Sequence, residues 1–159
     1  MPLSACEAPR RPQVEKEGEV YRKILVALDG SEASKKALGT AIQLSRSRAA
    51  GLCALGVEEH LPHYAATVGE VEEARDEQDS FFGRVMDEAR RAAAEHDVQL
   101  TSEIRAVNAA QQIVRVASDG EFDLIVMGAK GHSRIRYFLL GTTADRVSHH
   151  APCSVLLVR

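Results

Sequence analysis

KILVALDGSEAS, Lys23 to Ser34, runs from an unbroken apolar stretch through a turn into helix-start chemistry. Ile24-Leu25-Val26-Ala27-Leu28 has no polar break, which suits a strand covered on both faces, as in a parallel sheet. Asp29-Gly30-Ser31 then supplies turn and capping residues. The helix expected next carries Ala33, Ala37, Leu38, Ala41, Ile42 and Leu44 along one stripe. A doubly covered strand leading straight into a helix opens a strand–helix–strand unit. The fold then depends on how often the unit repeats.

It repeats to the end of the chain. Leu52 to Val57 reads as a second strand, and HLPHYAATVGE, His60 to Glu70, as a loop. From about Val71 to His96, apolar residues including Phe81, Phe82, Val85, Met86 and Ala89 recur at steps of three and four, the period of a long amphipathic helix. Val98, Leu100, Ile104 and Ala106 alternate with polar residues, as in an edge strand with one wetter face. Ala110, Ile113, Val114 and Ala117 mark a short helix, Phe122 to Met127 a buried strand, Thr142 to His150 a last helix and Cys153 to Val158 a closing apolar strand. The expected class is α/β: a single doubly wound, five-stranded parallel sheet, order 3-2-1-4-5, flanked by about four helices, Rossmann-like. Ligands in such sheets sit beyond the carboxyl ends of the strands, where the order reverses. There Asp29 follows the first strand and Gly128 the fourth.

Composition removes several functions. The chain has 159 residues, enough for one domain with a sizeable core. Its net charge of −3 argues against a general nucleic-acid or anionic-membrane surface, so any phosphate recognition must be local. Aromatic residues make up 4% and Trp is absent, which leaves little for base stacking. Cys6, Cys53 and Cys153 form no CxxC pair, so neither a zinc knuckle nor a disulfide framework is supported, and a cytoplasmic setting is expected. No apolar run approaches the roughly 18 residues of a membrane span. MPLSACEAPRRPQVEKEGEV lacks the apolar centre of a signal peptide. Residues 1–20 therefore read as a flexible extension and 21–159 as the domain.

Chemistry concentrates in GAKGHSRIRYFLLGTT, Gly128 to Thr143. Gly128, Gly131 and Gly141 have the spacing G-x2-G-x9-G, followed by Thr142-Thr143. Glycines let backbone N–H groups approach an anion, and a helix start adds unpaired donors and a favourable dipole. Lys130, Arg134 and Arg136 could neutralise phosphate charge. On spacing alone, glycines that only serve turns and a threonine that only caps remain an open alternative. The loop is neither GxxxxGK[ST] nor GxGxxG.

DLIVMGAKGHSRIRYFLLGTTADRVSHHAPCSVLLVR, with KILVALDGSEAS, resembles the universal stress protein family over about residues 21–159. The ATP-binding branch of that family is marked by G-x2-G-x9-G-[ST], which Gly128, Gly131, Gly141 and Thr142 match without a gap. The resemblance implies ATP, with Mg2+, as ligand. It sets Ala27 and Leu28 beside the adenine and the Val57 backbone at the adenine edge. Met127 and Gly128 fall by the ribose and α-phosphate. Gly131, Gly141, Thr142 and Thr143 fall on the phosphates, with His132 in the same loop. Asp29 corresponds to the acidic residue that meets the ribose or the metal-bridged phosphates. A homodimer through the last strand, Cys153–Val158, and a client protein of unknown identity are also implied. Cys153-Ser154-Val155 departs from the family, which often has proline in the middle.

Other constellations carry less. Asp29 alone is as well read as an Asx-turn or helix-cap residue. His60 and His63 lack a third ligand, and His149 and His150 suit the end of a helix dipole. GHSRI lacks the closing glycine of a nucleophile elbow. The function expected is a cytoplasmic ATP-binding stress or signalling protein working through nucleotide-dependent interactions. A slow ATP-hydrolysing enzyme and a nucleotide-free, dimeric chaperone-like module are the alternatives.

Overall fold

In a computed structural model, which describes residues 21–58, 68–130 and 140–159, strands and helices alternate from Lys23 onward. The elements are β1 (Lys23–Leu28), α1 (Glu32–Arg48), β2 (Gly51–Glu58), α2 (Val68–Ala94), β3 (Leu100–Ala106), α3 (Ala109–Asp119), β4 (Leu124–Gly128), α4 (Thr142–His150) and β5 (Ser154–Val158). They form a five-stranded sheet in the order β3-β2-β1-β4-β5, every adjacent pair parallel. The expected fold class and strand order are both present.

Period two along the strands divides the interior into two cores. Leu25, Cys53, Leu55 and Ile125 face α3 and α4, where Ile113, Ala117, Ala144 and Val147 meet them. Ile24, Val26, Leu52, Ala54 and Val126 face α1 and α2, against Ala41, Ile42, Met86 and Ala89. Because β1 is buried on both faces, its apolar run has no polar alternation to show. Each fully buried Leu or Ile contributes roughly 1.5–3 kcal/mol over leaving it in water.

Helix ends follow local chemistry. Ser31 caps α1, its side chain accepting from the Ser34 N–H at 3.2 Å. Ser34 and Ser45 are buried on α1 where the apolar stripe predicted Ala33 and Leu44. Their hydroxyls donate to the Ser31 and Ala50 carbonyls, at 2.8 and 2.7 Å, which makes their burial tolerable. Asn108 caps α3 in the left-handed conformation, its side chain accepting from the Gln111 N–H at 3.3 Å.

Several boundaries shift from expectation for visible reasons. β4 begins at Leu124, because Phe122 folds back over Gly120 and the Asp123 carboxylate accepts the N–H groups of Arg22 and Lys23 at 2.7 and 3.1 Å. α2 begins at Val68, inside the expected loop, and ends at Ala94, followed by Asp97 at φ 59°. The expected extension, residues 1–20, lies outside the described residues, as do His60 and His63. No described helix is long and apolar enough to cross a membrane.

Gly128 sits where α1 crosses the end of β4. A Cβ there would lie 2.8 Å from the Ala33 Cβ, 3.0 Å from its carbonyl carbon and 3.2 Å from the Ser34 nitrogen. Two of these are backbone atoms that cannot swing aside. Gly128→Ala is therefore expected to cost about 1–3 kcal/mol, read as a lower urea midpoint with an unchanged m-value.

Candidate functional site

The central ladder gives way before its strands end. β1 and β4 pair from Ile24↔Leu124 to Val26↔Val126. Beyond that, β1 continues with β2 as far as Leu28↔Gly56, and β4 with β5 as far as Gly128↔Val158. Each central strand thus finishes against its outer neighbour. This is the point where strand order reverses and a doubly wound sheet forms its ligand crevice.

On the β4 side, the loop between β4 and α4 is closed at its base. The Ala129 N–H donates to the Val158 carbonyl at 2.8 Å, and the Gly141 N–H donates to the Ala129 carbonyl at 2.8 Å. Gly141 is the N-cap of α4, extended at φ −71° and ψ 153°, with no side-chain capping bond. Among the described residues, no side chain gives the first N–H groups of α4 the oxygen that Ser31 supplies to α1. An uncapped helix start carries partial positive charge and suits an anion. Thr142 is exposed, Gly141 and Thr143 half-buried, and Lys130 exposed at the start of the loop. Gly131, His132, Arg134 and Arg136 lie outside the described residues.

On the β1 side, the turn is built around Gly30 at φ +79°, a conformation that favours glycine. The Asp29 carboxylate accepts the Ser31 N–H at 2.9 Å, an Asx-turn that fixes the carboxylate next to the strand end. The Asx-turn reading of Asp29 is thus present.

The expected adenine-side residues divide. Ala27, Val57 and Met127 are buried together in the α3/α4 core, with Ala144 of α4 in the same cluster. The Leu28 side chain packs instead in the α1/α2 core, so toward this crevice it can offer only backbone. Gly128 carries a packing role that its spacing did not reveal. Sequence reasoning also passed over Ala129, which is 2% exposed, because no polar side chain marks a residue that acts through its peptide groups. His149, in the last turn of α4, places Nδ1 2.9 Å from the Asp145 carbonyl, as its helix-end reading implies. Among the described residues, no cluster of three or more His, Cys, Asp or Glu could hold a metal ion.

An open parallel sheet whose central ladder stops beneath an uncapped helix start defines a doubly wound α/β protein of the ligand-crevice kind. Comparison with known proteins narrows the class. The universal stress protein family matches residues 20–159, and the chain belongs to that family. Universal stress protein YxiE of Bacillus subtilis is 32% identical over 148 residues, covering 88% of this chain and all of that protein. Universal stress protein A homolog 2 of Coxiella burnetii is 34% identical over 141 residues, covering 87% of this chain and 95% of that one. Among solved structures, UspA from Lactobacillus plantarum superposes with a TM-score of 0.80 at 30% identity, over 87% of this chain and 98% of that one.

Asp29 can be tested for its turn role separately from its charge. Asp29→Asn keeps an acceptor for the Ser31 N–H and serves as the reference in which only the charge is lost. Asp29→Ala removes the acceptor as well and should be about 0.5–1.5 kcal/mol less stable than Asp29→Asn. Equal stability of both variants would show that the Asx-turn bond contributes nothing.

Proposed function

We propose that this chain binds an adenine nucleotide, ATP with Mg2+, in the crevice between the ends of β1 and β4, and acts in stress response or signalling through nucleotide-dependent interactions. One observation carries the reading: the last glycine of an intact G-x2-G-x9-G-[ST] spacing heads a helix with no side-chain cap. A phosphate can supply acceptors that a glycine cap has no side chain to offer. The fold tolerates ligands of this kind, since one universal stress protein of the same fold is described in complex with cAMP and another, from Archaeoglobus fulgidus, with dAMP.

In this reading Gly131, His132, Gly141, Thr142 and Thr143 hold the phosphates through backbone N–H groups and hydroxyls. Met127 and Gly128 lie by the ribose and α-phosphate. Ala27 and the Val57 backbone bound the adenine, with Leu28 contributing only main chain. Asp29 approaches the ribose or the metal-bridged phosphates. Mg2+, when bound, would offset the negative charge of phosphate and carboxylate in so small a space. The residues fit: the helix start offers donors, Asp29 offers an anion, and the residues between are small. None of the residues in this reading has a general-base role, so hydrolysis would be slow. The cytoplasmic setting goes with the same proposal.

The homodimer through β5 has its own support. Val155, Leu156, Leu157 and Val158 are all half-buried on an edge strand, an apolar edge of the sort that invites a second strand. Light scattering should give a dimer mass, and Val155→Asp should shift it toward monomer. A monomeric parent chain would refute that assembly.

Purified protein, denatured and chromatographed, should release ATP. Accumulating ADP over many turnovers would favour the enzyme, and no nucleotide the dimeric module. Gly141→Val should keep the far-UV spectrum, because the Gly141 backbone is extended and open to any residue. Its added carbons should weaken ATP binding about 10- to 100-fold, the loss expected for one or two charge-assisted bonds. Unchanged affinity would remove the glycine loop from the site.

A further inference from the structure

The β1 turn is held from outside its own elements. A Cβ on Gly30 would lie 2.5 Å from Cζ of Phe81 and 3.4 Å from Cγ2 of Val85, both on α2. The tip of the Phe81 ring therefore rests directly on the backbone of the turn that orients Asp29. The next residue does the same one strand over. A Cβ on Gly56 would lie 2.8 Å from Cδ1 of Phe82 and 2.8 Å from Cε of Met86. Gly56 is the register partner of Leu28 and precedes Val57.

The two rings are neither redundant nor alike. They meet edge to face, centroids 5.3 Å apart and planes at 87°, so each stiffens the other. Phe82 is 6% exposed and belongs to the interior, whereas Phe81 is 38% exposed. A large aromatic left this open stabilises the fold less than a buried one. Its position, on the turn residue Gly30 whose φ of +79° favours glycine, gives it a second use.

We infer that Phe81 is a positioning residue for the nucleotide site: its ring, pressed on Gly30, sets the Asx-turn and so aims the Asp29 carboxylate. This rests on the nucleotide reading above and deepens it, because it makes affinity depend on α2, an element with no residue among the proposed ligand contacts.

The test is a double-mutant cycle read by calorimetric titration with Mg-ATP. Phe81→Ala should weaken binding roughly 3- to 30-fold, the span typical of residues that act without touching ligand. In the Asp29→Asn background the same substitution should cost less than about twofold, because the charge it positions is gone. Equal losses in the two backgrounds, or no loss with Asp29 present, overturn the inference. Should Phe81→Ala not fold, Phe81→Tyr takes its place in the cycle and is read the same way, since a hydroxyl on Cζ meets Gly30 and displaces the turn without removing apolar area. Failure of the unaltered chain to bind Mg-ATP would instead overturn the nucleotide reading, and this inference with it.

Discussion

Two hydrogen bonds on one small residue hold the working end of this molecule together. Ala129 donates to the last residue of β5 and accepts from the glycine that caps α4. Whatever path residues 130–140 take, they leave and return at the same peptide. Net gains of about 1 kcal/mol per bond understate the effect, since what is fixed is the place where α4 starts. Losing either partner would leave a buried backbone group without its bond, which costs more than the bond's net gain.

That anchorage matters because the crevice lies on the seam between the two cores. Ala27, Val57 and Met127 close the α3/α4 layer from below, whereas the Asp29 turn is pressed by Phe81 and Val85 of α2. A ligand bridging the two sides would touch both layers at once, although the layers share only the sheet between them. With a net charge of −3 over the chain, any attraction for an anion would have to be local, from the dipole at the start of α4, and not from a wider field.

Much of the architecture was legible because the central strands advertised their environment. The doubly covered β1 and β2 appear as solid apolar runs. β3, at the sheet edge, shows as a strand by its alternation, but Ile104 and Ala106 are exposed while the polar residues between are half-buried, so the alternation did not mark its wetter face. Boundaries were less legible where tertiary contacts decide them: Phe122 is apolar enough for a strand but is claimed by Gly120. Val68, Gly69 and Glu70 follow two histidines and a proline, which hid the first turn of α2. At the site, glycine spacing located α4 and its neighbour Gly128. It could not reveal that Gly128 is also demanded by the first turn of α1, nor that Phe81 reaches Gly30 from far along the chain. Such pairings have no local signature, since neither partner is polar and neither breaks a period.

The register of the sheet has a practical corollary. The Asp123 carboxylate grips Arg22 and Lys23 at the amino side, roughly 17–20 Å down the length of β1 from its far end. Val158, by contrast, lies level with Gly128. A fluorescent reporter or affinity handle joined ahead of Tyr21 would hang from the floor of the protein. One joined after Arg159 would stand at the opposite end of the sheet, level with Gly128 and beside the proposed nucleotide crevice.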